Sequence, residues 1–117
     1  MYDIRKEIQK DKERLRMKVV AINGSAKANG NTAQAIAIVA EELKAQGIET
    51  EILTIGTAPV RGCIGCGACR KSQNNQCAFD DDITNAYIKK MMEADGILLA
   101  SPTHYAGITG SMKSFLD

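Results

Sequence analysis

The sequence predicts a single α/β domain built on a parallel sheet. Three short segments, residues 19–22, 48–55 and 97–100, have the apolar patterns typical of strands. Two longer segments with apolar residues at helical spacing separate them. Because each helix carries the chain back to the end of the sheet where the next strand starts, this order predicts parallel strands joined by right-handed crossovers.

The composition is that of one ordinary globular domain, with 117 residues, of which 44% are hydrophobic and 25% charged. A formal net charge of +1 argues against nucleic-acid and membrane-surface binding, because no face can be strongly basic without an equally acidic one. No segment has the length and apolarity of a membrane span or a signal peptide, so we expect a cytoplasmic protein. In that compartment four cysteines indicate metal or redox chemistry rather than structural disulfides.

Residues 1–16 are dense in charge of both signs, with Ile4, Ile8 and Leu15 on a weak helical stripe. We expect a solvated helical extension here. The domain itself is expected to span residues 17–117.

The segment 23–32 joins the first strand to a predicted helix and is rich in glycine and asparagine. We expect Gly24 and Gly30 to let the backbone turn sharply and approach a ligand closely. The first N–H groups of a helix lack intrahelical partners and carry the positive end of the helix dipole, which favours a phosphate. Further contacts are expected from the hydroxyls of Ser25 and Thr32, the amide of Asn31 and the charge of Lys27. The alternative is a glycine loop that caps the helix and binds nothing.

Two commoner phosphate motifs are absent from this loop. Asn31 follows Gly30 where G-x-x-x-x-G-K-[ST] requires lysine, and Ala26 stands where G-x-G-x-x-G requires glycine. The pattern G-S-x-x-x-x-G-N-T after an N-terminal strand instead resembles the FMN phosphate loop of the NADPH-dependent FMN reductases, a flavodoxin-like family. The resemblance implies a doubly wound parallel sheet that binds FMN.

The remaining elements follow from local patterns. Residues 33–43 have helical spacing and precede a stop at Gly47, and residues 48–55 alternate glutamates with isoleucines, as in a strand exposed at a sheet edge. Residues 80–82 are three aspartates expected to form the cap and first turn of a second helix. The apolar run 97–100 predicts a buried parallel strand, and another helix is expected to begin near Thr109.

Only three of the five strands of a flavodoxin-like sheet are recognisable, in the expected order 2-1-3. The outer edge of the third strand would lie open where a fourth strand should pair. We therefore expect either that the chain is a fragment of a longer protein or that another chain completes the sheet.

A cysteine loop, residues 61–79, follows the second strand and has the spacing C-x2-C-x2-C-x7-C. Four thiolates from one compact loop are what a 4Fe-4S cluster needs, so the predicted metal ligands are Cys63, Cys66, Cys69 and Cys77. Bacterial ferredoxins share the first three positions, but their fourth cysteine comes three residues later and precedes proline. Structural zinc more often uses two separated pairs of ligands. Zinc and free or redox-active thiols remain the alternatives.

The loop after the third strand carries Ser-Pro-Thr-His-Tyr, which also resembles the reductase family, whose S-P-x-Y segment lies along the flavin ring. The resemblance implies that the ring is lined by Pro102, Thr103, His104, Tyr105 and Gly107. His104 falls where many members have an aromatic residue and is expected to stack on the flavin or hydrogen-bond to it; the alternative is an exposed loop histidine. All three loops follow parallel strands, which places them at the same edge of the sheet.

Flavin loops combined with this cysteine spacing resemble the iron-sulfur flavoproteins of anaerobes. The resemblance implies an FMN-dependent oxidoreductase whose 4Fe-4S cluster exchanges electrons with FMN, with no side chain needed as acid or base. It also implies a ferredoxin or nicotinamide as redox partner, with NAD(P)H as a candidate donor, and a homo-oligomeric assembly. The alternatives are an NAD(P)H-dependent FMN reductase with free thiols, a flavodoxin-like electron carrier and a zinc-stapled domain without redox activity.

Overall fold

A computed structural model describes residues 1–14 and 16–117. Within them, three parallel strands form one sheet in the order β2-β1-β3. The strands are β1 (Lys18–Asn23), β2 (Glu49–Thr54) and β3 (Gly96–Ala100). The predicted α/β class and the strand order 2-1-3 are confirmed.

Five helices accompany the sheet in the described residues: α1 (Ile4–Arg14), α2 (Asn31–Ala45), α3 (Ala68–Ser72), α4 (Thr84–Glu93) and α5 (Gly110–Leu116). Leu15, expected on the stripe of the N-terminal helix, lies outside the described residues. The five-residue helix α3 was not predicted. The aspartates at 80–82 precede α4 rather than form its first turn, and Asp82 Oδ1 accepts a hydrogen bond from Thr84 N at 2.8 Å.

The core lies on both faces of β1, because this strand has a neighbour on each side and helices above and below. Val20, Ala21 and Ile22 have no exposed surface. One face packs against the helices that follow β2 and β3, in a cluster completed by Ile55, Met112 and Phe115. On the other face α2 contacts β1 and β2.

The prediction that β3 is buried is wrong for one face of this strand. Ile97 and Leu99 are 52% and 47% exposed. In the described part of the chain β3 pairs only with β1, and the apolar cluster beside it draws no residue from β3. A continuous apolar sequence therefore does not ensure that a strand is buried. Burial requires other elements packed against both of its faces.

No helix among the described residues is both long and apolar enough to cross a lipid bilayer.

An ion-pair network lies at the edge strand β2. Glu51 pairs with Lys18 Nζ at 2.9 Å and with Lys90 Nζ at 3.1 Å, and these hydrogen bonds hold the pKa of Glu51 below its ordinary value. The stabilisation is therefore present at neutral pH, above the unfolded-state pKa, and is lost as the pH falls through the lowered folded-state pKa.

We expect Glu51→Gln to lower the free energy of unfolding at pH 7 by less than about 1 kcal/mol, because the pair is close to the surface. Urea unfolding at several pH values measures this. The deficit should disappear in acid, and Glu41→Gln, an exposed change on α2, should show no deficit. A deficit that persists unchanged below the folded-state pKa contradicts the assignment.

Candidate functional site

Hydrogen bonds join the loop after β1 to the loop after β3. Gly24 N donates to Ala100 O at 2.7 Å, and Thr109 Oγ1 donates to Gly24 O at 2.7 Å. Ser101 Oγ accepts from Thr109 N at 3.0 Å. The two loops predicted to bind a flavin are thus held side by side at the carboxyl edge of the sheet.

The loop after β1 is fixed by two successive side-chain turns. Asn23 is fully buried, and its Oδ1 accepts from Ser25 N at 3.0 Å. Ser25 Oγ in turn accepts from Lys27 N at 3.0 Å. Ser25 is 8% exposed, whereas Lys27 is exposed. The Ser25 hydroxyl therefore shapes the loop as an acceptor while its proton stays available to a ligand.

The N-terminus of α2 follows this loop and has no side-chain cap. Gly30 is the N-cap residue and offers no side chain, while Asn31 and Thr32 occupy the first turn. Asn31 is exposed and Thr32 half-buried. Uncapped N–H groups at the positive end of a 15-residue helix fit an anion.

Gly24 is closely packed, and the expected sharp turn does not explain the glycine. Its φ is not positive, so the turn itself does not demand glycine. A Cβ at this position would lie 2.8 Å from Met112 Cε and 3.2 Å from Ala100 O. Close packing of α5 and the end of β3 against the loop excludes a side chain here.

The loop after β3 contains a tight turn that presents one aromatic side chain. His104 N donates to Gly107 O at 2.8 Å, and Gly107 N donates to His104 O at 3.2 Å. The two residues between them, Tyr105 and Ala106, have φ of 47° and 66°, as in the primed turns of hairpins. Tyr105 is wholly exposed.

The other residues predicted along the flavin ring differ in exposure. Pro102 is half-buried, whereas Thr103, His104 and Gly107 are exposed. Their assignment as flavin contacts stays a prediction.

The four cysteines line one cavity of about 510 Å³, together with apolar side chains of α4 and α5 such as Met91 and Phe115. Cys63, Cys66 and Cys69 are exposed and Cys77 is half-buried; all four are free thiols. Within residues 1–14 and 16–117, no three His, Cys, Asp or Glu side chains converge on a point where a metal ion would sit. The fold collects the thiols around one space without bringing them to coordination distance.

The first residue of the cysteine loop, Arg61, is bonded to the residues that follow the loop. Arg61 N donates to Asp82 Oδ2 at 3.0 Å, and the guanidinium pairs with Asp81 and stacks over the Phe79 ring at 4.9 Å. The guanidinium holds the pKa of Asp81 below its ordinary value, and the Arg61 N–H does the same for Asp82. These contacts close the base of the loop.

The sequence did not identify three residues whose hydrogen bonds shape these sites. Asn23 ends β1 and anchors the first loop, Thr109 joins the two flavin loops, and Asn85 on α4 bonds the backbone of Cys77. The N-cap role of Thr109 was predictable, since a threonine before an apolar helical run is a typical N-cap. Its hydrogen bond to Gly24 was not, because the N-cap pattern concerns only the helix. No sequence pattern predicted the contact of Asn85.

We expect Thr109→Val to lower the free energy of unfolding by about 1–3 kcal/mol. The change removes the buried bond to Gly24 O and the cap that Thr109 Oγ1 forms by accepting from Met112 N at 3.1 Å. Urea unfolding measures it, with the exposed Thr57→Val as the control. Equal stability of the two variants would remove Thr109 as the link between the loops.

Comparison with known proteins supports the same family. Residues 17–117 match the family model described as NADPH-dependent FMN reductase. An iron-sulfur flavoprotein of Methanocaldococcus jannaschii is 36% identical over 86% of this chain and 51% of its own length. An iron-sulfur flavoprotein of Archaeoglobus fulgidus is 39% identical over 86% of this chain and 48% of its own length. One of Methanosarcina thermophila is 35% identical over 86% of this chain and 51% of its own length.

The chain thus spans about half the length of the curated relatives it matches. No solved structure matches it significantly. The match covers the whole sheet and all three loops described above. The chain therefore belongs to the NADPH-dependent FMN reductase family, whose name describes flavin-dependent oxidoreductases.

Proposed function

We propose that this chain is part of an FMN-dependent oxidoreductase in which a 4Fe-4S cluster exchanges electrons with the flavin. The observation that carries the proposal is the cavity lined by all four cysteines, on a loop that leaves the same carboxyl edge of the sheet as the two flavin loops. The relatives named above are called iron-sulfur flavoproteins, which agrees with this pairing.

The loop after β1 and the N-terminus of α2 offer groups suited to binding an FMN phosphate. The N-terminus of α2 has unpartnered donors and no competing side-chain cap. Ser25, Asn31 and Thr32 would donate hydrogen bonds to the phosphate, and Lys27 would add charge. The loop of Pro102, Thr103, His104, Tyr105 and Gly107 would lie along the ring, because the residues that flank it, Ala100 and Thr109, are hydrogen-bonded to Gly24 of the phosphate loop.

The cysteine loop fits a cluster by its chemistry, since four thiolates are the donor set that 4Fe-4S requires. Cys63, Cys66, Cys69 and Cys77 would hold the cluster, after the three exposed cysteines move toward the half-buried one. When bound, the cluster supplies single electrons and the flavin couples them to two-electron chemistry. The chain's own residues bind and orient these groups.

A ferredoxin or a nicotinamide is the redox partner we propose, with NAD(P)H the donor suggested by the family description. The exposure of three cysteines supports electron transfer at the surface. We also propose a homo-oligomeric assembly, from the resemblance alone.

A second candidate is an NAD(P)H-dependent FMN reductase whose cysteines are only thiols. The observation that favours it is that the four cysteines do not converge among the described residues. It shares the flavin loops with the first candidate and differs only at the cavity.

Anaerobic purification followed by an absorption spectrum and iron, sulfide, zinc and flavin analysis separates the two candidates. We expect flavin bands over broad iron-sulfur absorption and about four irons per chain. Flavin bands without metal would support the second candidate. Zinc with no flavin would overturn both candidates. Where flavin is bound, an NAD(P)H oxidation assay distinguishes an enzyme from an electron carrier.

A further inference from the structure

Cys77 differs from the other three cysteines because a side chain of α4 holds its backbone. Cys77 N donates to Asn85 Oδ1 at 2.7 Å, and Asn85 Nδ2 donates to Cys77 O at 2.9 Å. Asn85 Nδ2 also reaches Asp80 Oδ1 at 3.4 Å. The amide thereby satisfies both backbone groups of Cys77, as a neighbouring strand would.

The helix that carries Asn85, α4, forms the wall of the cavity that packs against the core. Asn85 lies in the first turn of α4 and is half-buried, as is Cys77. The same helix contributes Tyr87 and Met91 to the packing around the core cluster, and Tyr87 stacks edge-on against Phe115. The position of Cys77 is therefore coupled to the packing of the domain.

The other three cysteines lie earlier in the cysteine loop: Cys63 and Cys66 precede α3, and Cys69 lies within it. All three are exposed, and the segment that carries them has positive φ at Gly62, Gly65 and Gly67. Glycine at those positions gives the chain conformations that other residues rarely adopt. The two ends of this segment are bonded, at Arg61 and at Cys77, so the closure that a cluster requires would take place between them.

We propose that Asn85 is a positioning residue for the cluster. It holds Cys77 at a fixed place on the cavity wall, and the three exposed cysteines close toward it when the cluster binds. The inference rests on the proposed cluster function. Residues that orient metal ligands in this way typically change metal affinity 10–100-fold when they are replaced.

The test compares the wild-type chain with Asn85→Ala, Asn85→Asp and the control Lys89→Ala, an exposed residue of α4. Asn85→Asp keeps the acceptor for Cys77 N but replaces the donor by a carboxylate oxygen that faces Cys77 O and Asp80. The first measurement is the alkylation rate of each cysteine in the metal-free protein, resolved by mass spectrometry. The second is the iron retained against a chelator after reconstitution with iron and sulfide.

For Asn85→Ala we expect alkylation of Cys77 to accelerate about tenfold or more, with Cys63 unchanged, because two backbone hydrogen bonds no longer oppose local opening. Iron retention should fall about 10–100-fold. Asn85→Asp should resemble Asn85→Ala, because its carboxylate would be repelled by Asp80 and by the Cys77 carbonyl oxygen, and Lys89→Ala should match wild type. A merely structural residue would change all four alkylation rates together.

Two outcomes overturn the inference separately. If the wild type retains iron and Asn85→Ala retains it equally, with the same Cys77 alkylation rate, Asn85 does not position the ligand and the cluster proposal survives. If the wild type takes up no iron, the cluster proposal itself fails and the positioning role fails with it.

Discussion

Replacing Cys66 by alanine is expected to remove nearly all bound iron and the broad iron-sulfur absorption, rather than a quarter of each. The four thiols come from one loop and do not converge among the described residues, so a bound cluster would itself have to bring them together. Losing one ligand therefore affects the assembly of the whole site. Iron and sulfide analysis with an absorption spectrum, on anaerobically reconstituted protein, measures the effect.

The matched control is Ile64→Ala, an exposed apolar residue between the first two cysteines of the same loop. It changes the loop without removing a thiolate and should keep its iron. Flavin content should be unchanged in both variants, because the flavin loops are anchored to β1, β3 and α5. Iron retained at the wild-type level in Cys66→Ala would exclude this cysteine as a ligand.

Gly24→Ala is expected to lower the free energy of unfolding by about 1–3 kcal/mol, the usual cost of overpacking. The added methyl group would meet Met112 Cε at 2.8 Å, Met112 Cβ at 3.0 Å and Ala100 O at 3.2 Å. The backbone oxygen cannot move without disturbing β3. Against a total stability of about 5–15 kcal/mol, this loss is large, and urea unfolding measures it.

Gly110→Ala provides the control, since a Cβ there meets nothing within 4 Å. It should be at least as stable as wild type because alanine favours a helix. Flavin titration of Gly24→Ala adds a second comparison. If stability is unchanged while FMN binds more weakly, Gly24 serves close ligand approach, as the sequence suggested, and the packing explanation is wrong.

The local patterns of the sequence determined the three strands, the longer helices and their order along the chain. Alternation over 48–55 and helical spacing over 33–43 depend only on which side chains must share a face, so they predicted β2 and α2 to within a few residues. The order 2-1-3 was expected from the resemblance to a flavodoxin-like sheet, because right-handed crossovers by themselves also allow the order 1-2-3. The cysteine spacing likewise predicted one shared space, because the ligands come from a single short loop.

The tertiary structure alone decided the exposure of β3, the reason for glycine at position 24 and the contacts that fix the two candidate sites. Thr109 and Gly24 are 85 residues apart, and the bond from Asn85 to Cys77 requires α4 to lie against the end of the cysteine loop. Such contacts depend on where packed elements meet in space. Periodicity and motif spacing describe one segment at a time, so they cannot contain that information.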